Sequence, residues 1–151
     1  MTKEIANIRP AVISDIQDMT NLLRLLFSIE ADFEFNEACH QEGLRLMLEN
    51  PKSCIKVAET GGIVVGMCTG QLLISTAQGG LSLLVEDMVV QENIRGQGIG
   101  SRLLQEVISW GFANGALRAQ LLADKNNHQA LGFYEKLGWK QTQLKGLRFE
   151  V

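Results

Sequence analysis

The sequence predicts an α/β (α+β) fold: a mixed central β-sheet flanked by helices, in the order β-α-α-β-β-β-α-β-α-β. Three observations lead there. Two glycine pairs, Gly61-Gly62 and Gly79-Gly80, separate runs rich in β-branched residues, the pattern of successive hairpins. Apolar residues recur at helical spacing before and after those runs. The later strands alternate with helices, as parallel neighbours in a sheet require. The 151 residues contain no repeat, low-complexity tract or linker, so all elements are expected in one domain, 1–151.

Each element has its own signal. "IANIRPA" (Ile5 to Ala11) is a short strand. Ser14, with Gln17 three residues later, has the spacing of a capping box. Ile16, Met19, Leu22, Leu23 and Leu26 then share one face of a helix running to about Glu30. "NEACHQEGLRLMLEN" is a second helix, stopped at Pro51. "CIKVAET", "IVVGMCTGQLLIST" and "LSLLVEDMVVQ" are strands joined by the glycine pairs. Leu103, Leu104, Val107, Ile108 and Phe112 mark a third helix, and "LRAQLLA" the next strand. Asn126 and Gln129 form a capping pair for "NHQALGFYEKLG", which Gly138 ends. The tail "WKQTQLKGLRFEV" is expected to add one or two strands.

Bulk chemistry excludes several classes. Apolar residues at 46% and charged residues at 21% describe a folded globular chain rather than a disordered one. A formal charge of −3 argues against nonspecific nucleic-acid binding. Cys39, Cys54 and Cys68 are odd in number and lack metal-ligand spacing, so no metal site is expected and a reducing cytoplasm suits the chain. We expect no secretory leader and no membrane span.

The glycines of "NIRGQGIGSR" (Asn93 to Arg102) stand between a strand and a helix. Such a turn exposes backbone N–H groups at the positive end of a helix, an arrangement suited to phosphate. Arg95 adds a fixed positive charge. The spacing excludes two known loops. Gly100 is followed by Ser101 and Arg102, where a Walker A loop needs Lys and Ser/Thr; the third glycine of a dinucleotide fingerprint would fall on Ser101 or Leu103. The pattern that fits is Arg-x-x-Gly-x-Gly, at Arg95, Gly98 and Gly100.

With that pattern, "VEDMVVQENIRGQGIGSRLL" resembles the acetyl-coenzyme A motif of the GNAT superfamily of N-acetyltransferases, and "NNHQALGFYEKLGW" resembles its second motif. The resemblance covers nearly the whole chain. It implies an acyltransferase that moves an acetyl group from acetyl-CoA directly to a primary amine. It assigns the coenzyme pyrophosphate to Arg95, Gly96, Gln97, Gly98, Ile99, Gly100 and Ser101. The main chain of Met88, Val89 and Val90 is assigned to the pantetheine arm, with Asn127 and Ala130 beside it. The N–H of Val89 or Val90 would face the developing oxyanion.

Two proton problems remain. An alkyl amine of pKa about 10.4 needs roughly 4–5 kcal/mol to be neutral at pH 7. Glu86 is the candidate to take its proton, with Asp87 as the fallback; strand alternation would point the two to opposite faces. Tyr134, the only tyrosine, matches the family residue facing the coenzyme sulfur and is the candidate to stabilise the departing thiolate. Asn127, Ala130 and Tyr134 fall at i, i+3 and i+7, on one helical face, with Phe133 and Leu137 on a stripe suited to a core.

The acceptor is only outlined. Phe27, Glu30, Asp32, Phe33 and Phe35 cluster near the junction of the first two helices, and acids with aromatics suit a cationic small-molecule or peptide amine. A solvated turn would have the same composition. The tail after Gly138 is short beside many relatives, so a second subunit could complete the acceptor side as a homodimer. The alternative to catalysis is a regulatory module that binds acyl-CoA without transferring the group.

Overall fold

In the computed structural model, which describes residues 4–30 and 32–151, strand β1 (Asn7–Pro10) leads through a 3-10 turn at Ile13–Asp15 into α1 (Ile16–Ile29). Ser14 does not cap this helix. Asp15 instead reaches back and closes the 3-10 turn before it: its Oδ2 accepts the Val12 N–H at 2.8 Å. Asp15 is fixed there because Arg9 donates to both its oxygens, at 2.8 and 2.9 Å, and to Glu59 on a neighbouring strand at 2.5 Å. The Arg9 hydrogen bonds hold the Asp15 carboxyl below its usual 3.8, against its burial. A depressed carboxyl stabilises the fold above its unfolded pKa and stops doing so as acid protonates it. Arg9→Ala is therefore expected to cost about 2 kcal/mol at pH 7, between the values of exposed and buried pairs. The loss should shrink near pH 3. Urea denaturation at both pH values measures it; an equal loss at both would assign the effect to packing.

Helix α2 (Glu37–Glu49) starts at Asn36, whose side chain accepts the Cys39 N–H at 3.1 Å. Strands β2 (Ser53–Thr60), β3 (Ile63–Ser75) and β4 (Gly80–Val90) follow, then α3 (Ile99–Ala113) and β5 (Ala116–Leu121). The five strands lie in the order β1-β2-β3-β4-β5. β1 to β4 pair antiparallel, and β5 joins beside β4 after the α3 crossover. Gly61 and Gly62 form the β2–β3 turn as expected. The β3–β4 turn is longer than a glycine pair, spanning 76–79 with Gly80 already in the strand.

One face of the sheet, carrying Ile55, Val57, Met67 and Val89, is covered by Met19, Leu22, Leu23 and Leu26 of α1 and Leu44 of α2. The other face receives α3. A Cβ at Gly70 would sit 2.7 Å from Val107 Cγ1, and one at Gly111 would sit 2.7 Å from Leu83 Cδ2. These two missing side chains let α3 lie directly on β3 and β4. Gly111 occupies the buried position, which turns Phe112 outward to 47% exposure rather than onto the core face. No helix among the described residues is long and apolar enough to cross a membrane.

The chain divides into two compact units, Met1–Gln120 and Leu121–Val151. The second holds α4 (His128–Lys136). Its cap is Asn127, not Asn126: Asn127 Oδ1 accepts the Ala130 N–H at 3.1 Å, while the Asn126 N–H donates to Asp124. The expected closing strands are absent. Residues 139–151 carry no strand, and Leu147 and Phe149 are over 90% exposed. Alternation selects a face only where a partner edge takes up the backbone N–H and C=O groups, and none does here.

Candidate active site

β4 is not a regular strand. Met67 pairs with Val89 and Thr69 with Glu86, so two steps along β3 match three along β4. The extra residue makes a β-bulge at Asp87, whose φ of +51° is left-handed. Among non-glycine residues, only Asn and Asp adopt that conformation with any ease. The bulge overturns the expectation that Glu86 and Asp87 point to opposite faces. Gln71 Nε2 lies 3.5 Å from Glu86 Oε1, and Thr69 Oγ1 lies 3.3 Å from Asp87 Oδ2. Thr69 and Gln71 alternate on one side of β3, so both carboxylates converge there.

The convergence changes their acidity. Asp87 is pushed up to about 6, by burial first and then by the neighbouring Glu86 charge; the Thr69 hydrogen bond opposes this and Glu30, at the end of α1, adds to it. Glu86 is raised by desolvation, although its side chain is the more exposed of the two. Glu30 thus adds its charge to the field of the carboxylate pair.

Beyond the bulge, Val89 is buried in the α1-facing core and Val90 ends the strand. Arg95 Nε donates to the Val90 carbonyl at 3.0 Å, which holds the guanidinium against the strand end. Gly96 and Gly98 have φ of +80° and +79°, and nothing stands within 4 Å of where their Cβ atoms would be. Ile99 is buried and anchors the turn. The first helical hydrogen bond of α3 runs from the Arg102 N–H to Gly98 O at 3.1 Å. The N–H groups of Ile99, Gly100 and Ser101 consequently have no acceptor inside the helix, and Gly98 has no side chain to cap them. This donor set fits a pyrophosphate. A cleft of about 310 Å³ opens beside it, between residues 4–6 and Gly96, Gln97, Ile99 and Arg102. Arg102 was not singled out from the sequence; its place one turn after an Arg-led glycine loop was the available signal.

At the α1–α2 junction, Phe27 and Phe33 meet edge to face at 5.7 Å. His40, also unassigned from the sequence, ties the cluster together, 4.8 Å from Phe27 and 5.1 Å from Phe35. Its Nε2 accepts the Asn36 N–H at 3.0 Å. The face of Phe35 is already taken by a cation of this chain, the Arg24 guanidinium at 4.1 Å.

In the second unit, Asn127 Oδ1 accepts the Ala130 N–H in the cap, so these two atoms are used on each other. Tyr134 is half-buried, with Phe133 at 5.1 Å and Trp139 at 5.8 Å. The stripe expected to pack Phe133 and Leu137 does not hold for Leu137, which is 43% exposed. No residue of α4 is fully buried.

A mixed sheet, a bulged strand with paired carboxylates, and a phosphate-accepting turn leading out of that strand form the framework of an acyltransferase. Residues 16–139 match the Acetyltransferase (GNAT) family, and the chain belongs to it. It is 31% identical over 95% of its length to mouse thialysine N-epsilon-acetyltransferase, 91% of which is covered. Among solved structures it is similar to a transcriptional regulator from Bacillus halodurans, at 27% identity and TM-score 0.83, covering 97% of this chain and 99% of that one. It also shares its fold with an acetyltransferase from Clostridium acetobutylicum solved with acetyl-CoA, at 17% identity and TM-score 0.81, covering 97% and 96%.

Proposed function

We propose that the chain is an N-acetyltransferase that uses acetyl-CoA and a small cationic primary amine. The observation that carries this reading is the convergence of Glu86 and Asp87 at the β4 bulge. Bound coenzyme supplies the activated acetyl group. Glu86, the more accessible carboxylate, takes the proton of the incoming ammonium. Asp87 keeps the proton affinity of the pair near neutral pH, since two close carboxylates titrate as a unit. The N–H of Val89 or Val90 faces the oxyanion as charge develops. Arg95, Gly96, Gln97, Gly98, Ile99, Gly100 and Ser101 hold the pyrophosphate and Met88 to Val90 the pantetheine arm; the resemblance of the second motif to the family's assigns Asn127 to that arm as well and the Tyr134 hydroxyl to the departing thiolate.

The name of the mouse relative places its acetyl group on the ε-amine of thialysine, a cationic primary amine, which agrees with the acids Glu30, Glu86 and Asp87. Thialysine therefore belongs first in a panel with polyamines, amino sugars and lysyl peptides. Acetyl-CoA at about 100 times its Kd should stabilise the protein by about 2.7 kcal/mol, a rise in Tm of roughly 5–10 °C. At least one amine should then release coenzyme thiol far faster than hydrolysis. A thermal shift with only slow hydrolysis across the panel would favour the regulatory module; no shift would remove the coenzyme reading itself.

A further inference from the structure

We infer that Trp139 is a positioning residue for Tyr134, acting through the cap that closes α4. The inference rests on the reading of Tyr134 as the donor to the thiolate. Helix α4 ends with two hydrogen bonds, from the Gly138 N–H to Glu135 O and from the Trp139 N–H to Tyr134 O, each at 3.0 Å. Gly138 has φ of +91°. This is a Schellman closure, in which the residue two past the C-cap, here Leu137, bonds back to the third-last helical residue. Here those two residues are Trp139 and Tyr134. The backbone bond sets them side by side, and their rings meet edge to face, with centroids 5.8 Å apart and planes at 61°. Phe133 meets the same tyrosine ring at 5.1 Å and 68°.

The tyrosine ring thus meets two aromatics. Helix α4 has nine residues, none of them fully buried, so contacts at its end matter to its side chains. A change of χ1 would swing the hydroxyl by several ångströms, and a misplacement of about 1 Å can cost on the order of 100-fold in rate. Removing the indole takes away one of the two ring contacts that set this orientation while leaving the phenol in place. Phenylalanine at 139 keeps a ring at the contact.

A double-mutant cycle tests this, with acetyl-CoA and whichever amine of the panel turns over fastest. Trp139→Leu should lower kcat at least tenfold and leave the KM for acetyl-CoA within about threefold. Trp139→Phe should keep kcat within about threefold of the parent. In a Tyr134→Phe background, Trp139→Leu should cause no further loss, because the group it positions is gone. Because Tyr134 is the only tyrosine, ring-labelled tyrosine gives one set of NMR signals. Those signals should lose their ring-current shift in Trp139→Leu and largely retain it in Trp139→Phe. An equal loss from Trp139→Leu in both backgrounds, or none in the parent, would overturn the inference while leaving the role of Tyr134 intact. Unchanged kcat in Tyr134→Phe would overturn both.

Discussion

Asp87→Asn is expected to give a protein that is more stable at pH 8 yet works over a shifted pH range. The Asp87 carboxyl moves from 3.8 to about 6 in the folded protein. A raised carboxyl leaves stability untouched below the unfolded pKa, erodes it as pH climbs through the window between 3.8 and about 6, and holds it reduced above. The gap corresponds to a cost on the order of 3 kcal/mol at pH 8. Asparagine removes that cost, tolerates the left-handed φ of +51° and can still meet Thr69. Denaturation at pH 4 and pH 8 should therefore show a gain at pH 8 and almost none at pH 4. In kinetics, kcat/KM of the parent should rise through about pH 6 as the pair loses its last proton. Asp87→Asn should move that limb to lower pH, because Glu86 no longer faces a second charge. Glu86→Gln should instead lower the plateau by roughly 100-fold or more, the usual worth of a general base. If Asp87→Asn loses the plateau and Glu86→Gln only shifts the limb, the two roles are exchanged.

Much of this layout is legible in the sequence, for reasons that differ by element. Helix α1 could be placed because Met19, Leu22, Leu23 and Leu26 encode a local period that packing then uses unchanged. The Gly61-Gly62 hairpin was legible because its turn chemistry is local too. The misplaced features depend on partners distant in sequence. Asp15, rather than Ser14, fixes the entry to α1 because Arg9, itself tied to Glu59, grips its carboxylate. The bulge arises because Val89 must return to the face of Met67 while Glu86 stays on the face of Thr69, a requirement set by the sheet. Two adjacent carboxylates within an apolar run were the visible trace of that conflict, and alternation alone misread it. The tail reads as strand by composition, but no edge receives it. In the candidate site, the glycine turn and its arginine were legible as a spacing. Thr69, Gln71, His40 and Trp139 were not, because only tertiary neighbours give them a role.

The turn itself allows a prediction that separates ligand binding from backbone strain. Gly98 sits at φ of +79°, where any L side chain is disfavoured by about 1–2 kcal/mol, so Gly98→Val would weaken the fold and the ligand together. Gly100 differs: it is the second residue of α3, in helical conformation, and carries one of the N–H groups without an acceptor in the helix. A side chain there meets no left-handed penalty, and leaving glycine is favourable to a helix by a fraction of a kcal/mol. Gly100→Val should thus escape the backbone strain of Gly98→Val and melt above it. Its branches would stand where a pyrophosphate must approach the main chain, so acetyl-CoA affinity should fall at least tenfold, or about 1.4 kcal/mol. Calorimetric titration with acetyl-CoA, paired with thermal melts of the free protein, reads both quantities. Were Gly100→Val to bind coenzyme as tightly as the parent, the glycines would be explained by turn geometry alone. Loss of affinity in a variant that melts above Gly98→Val requires instead that the main chain of this turn be approached by the ligand, which backbone conformation by itself does not demand.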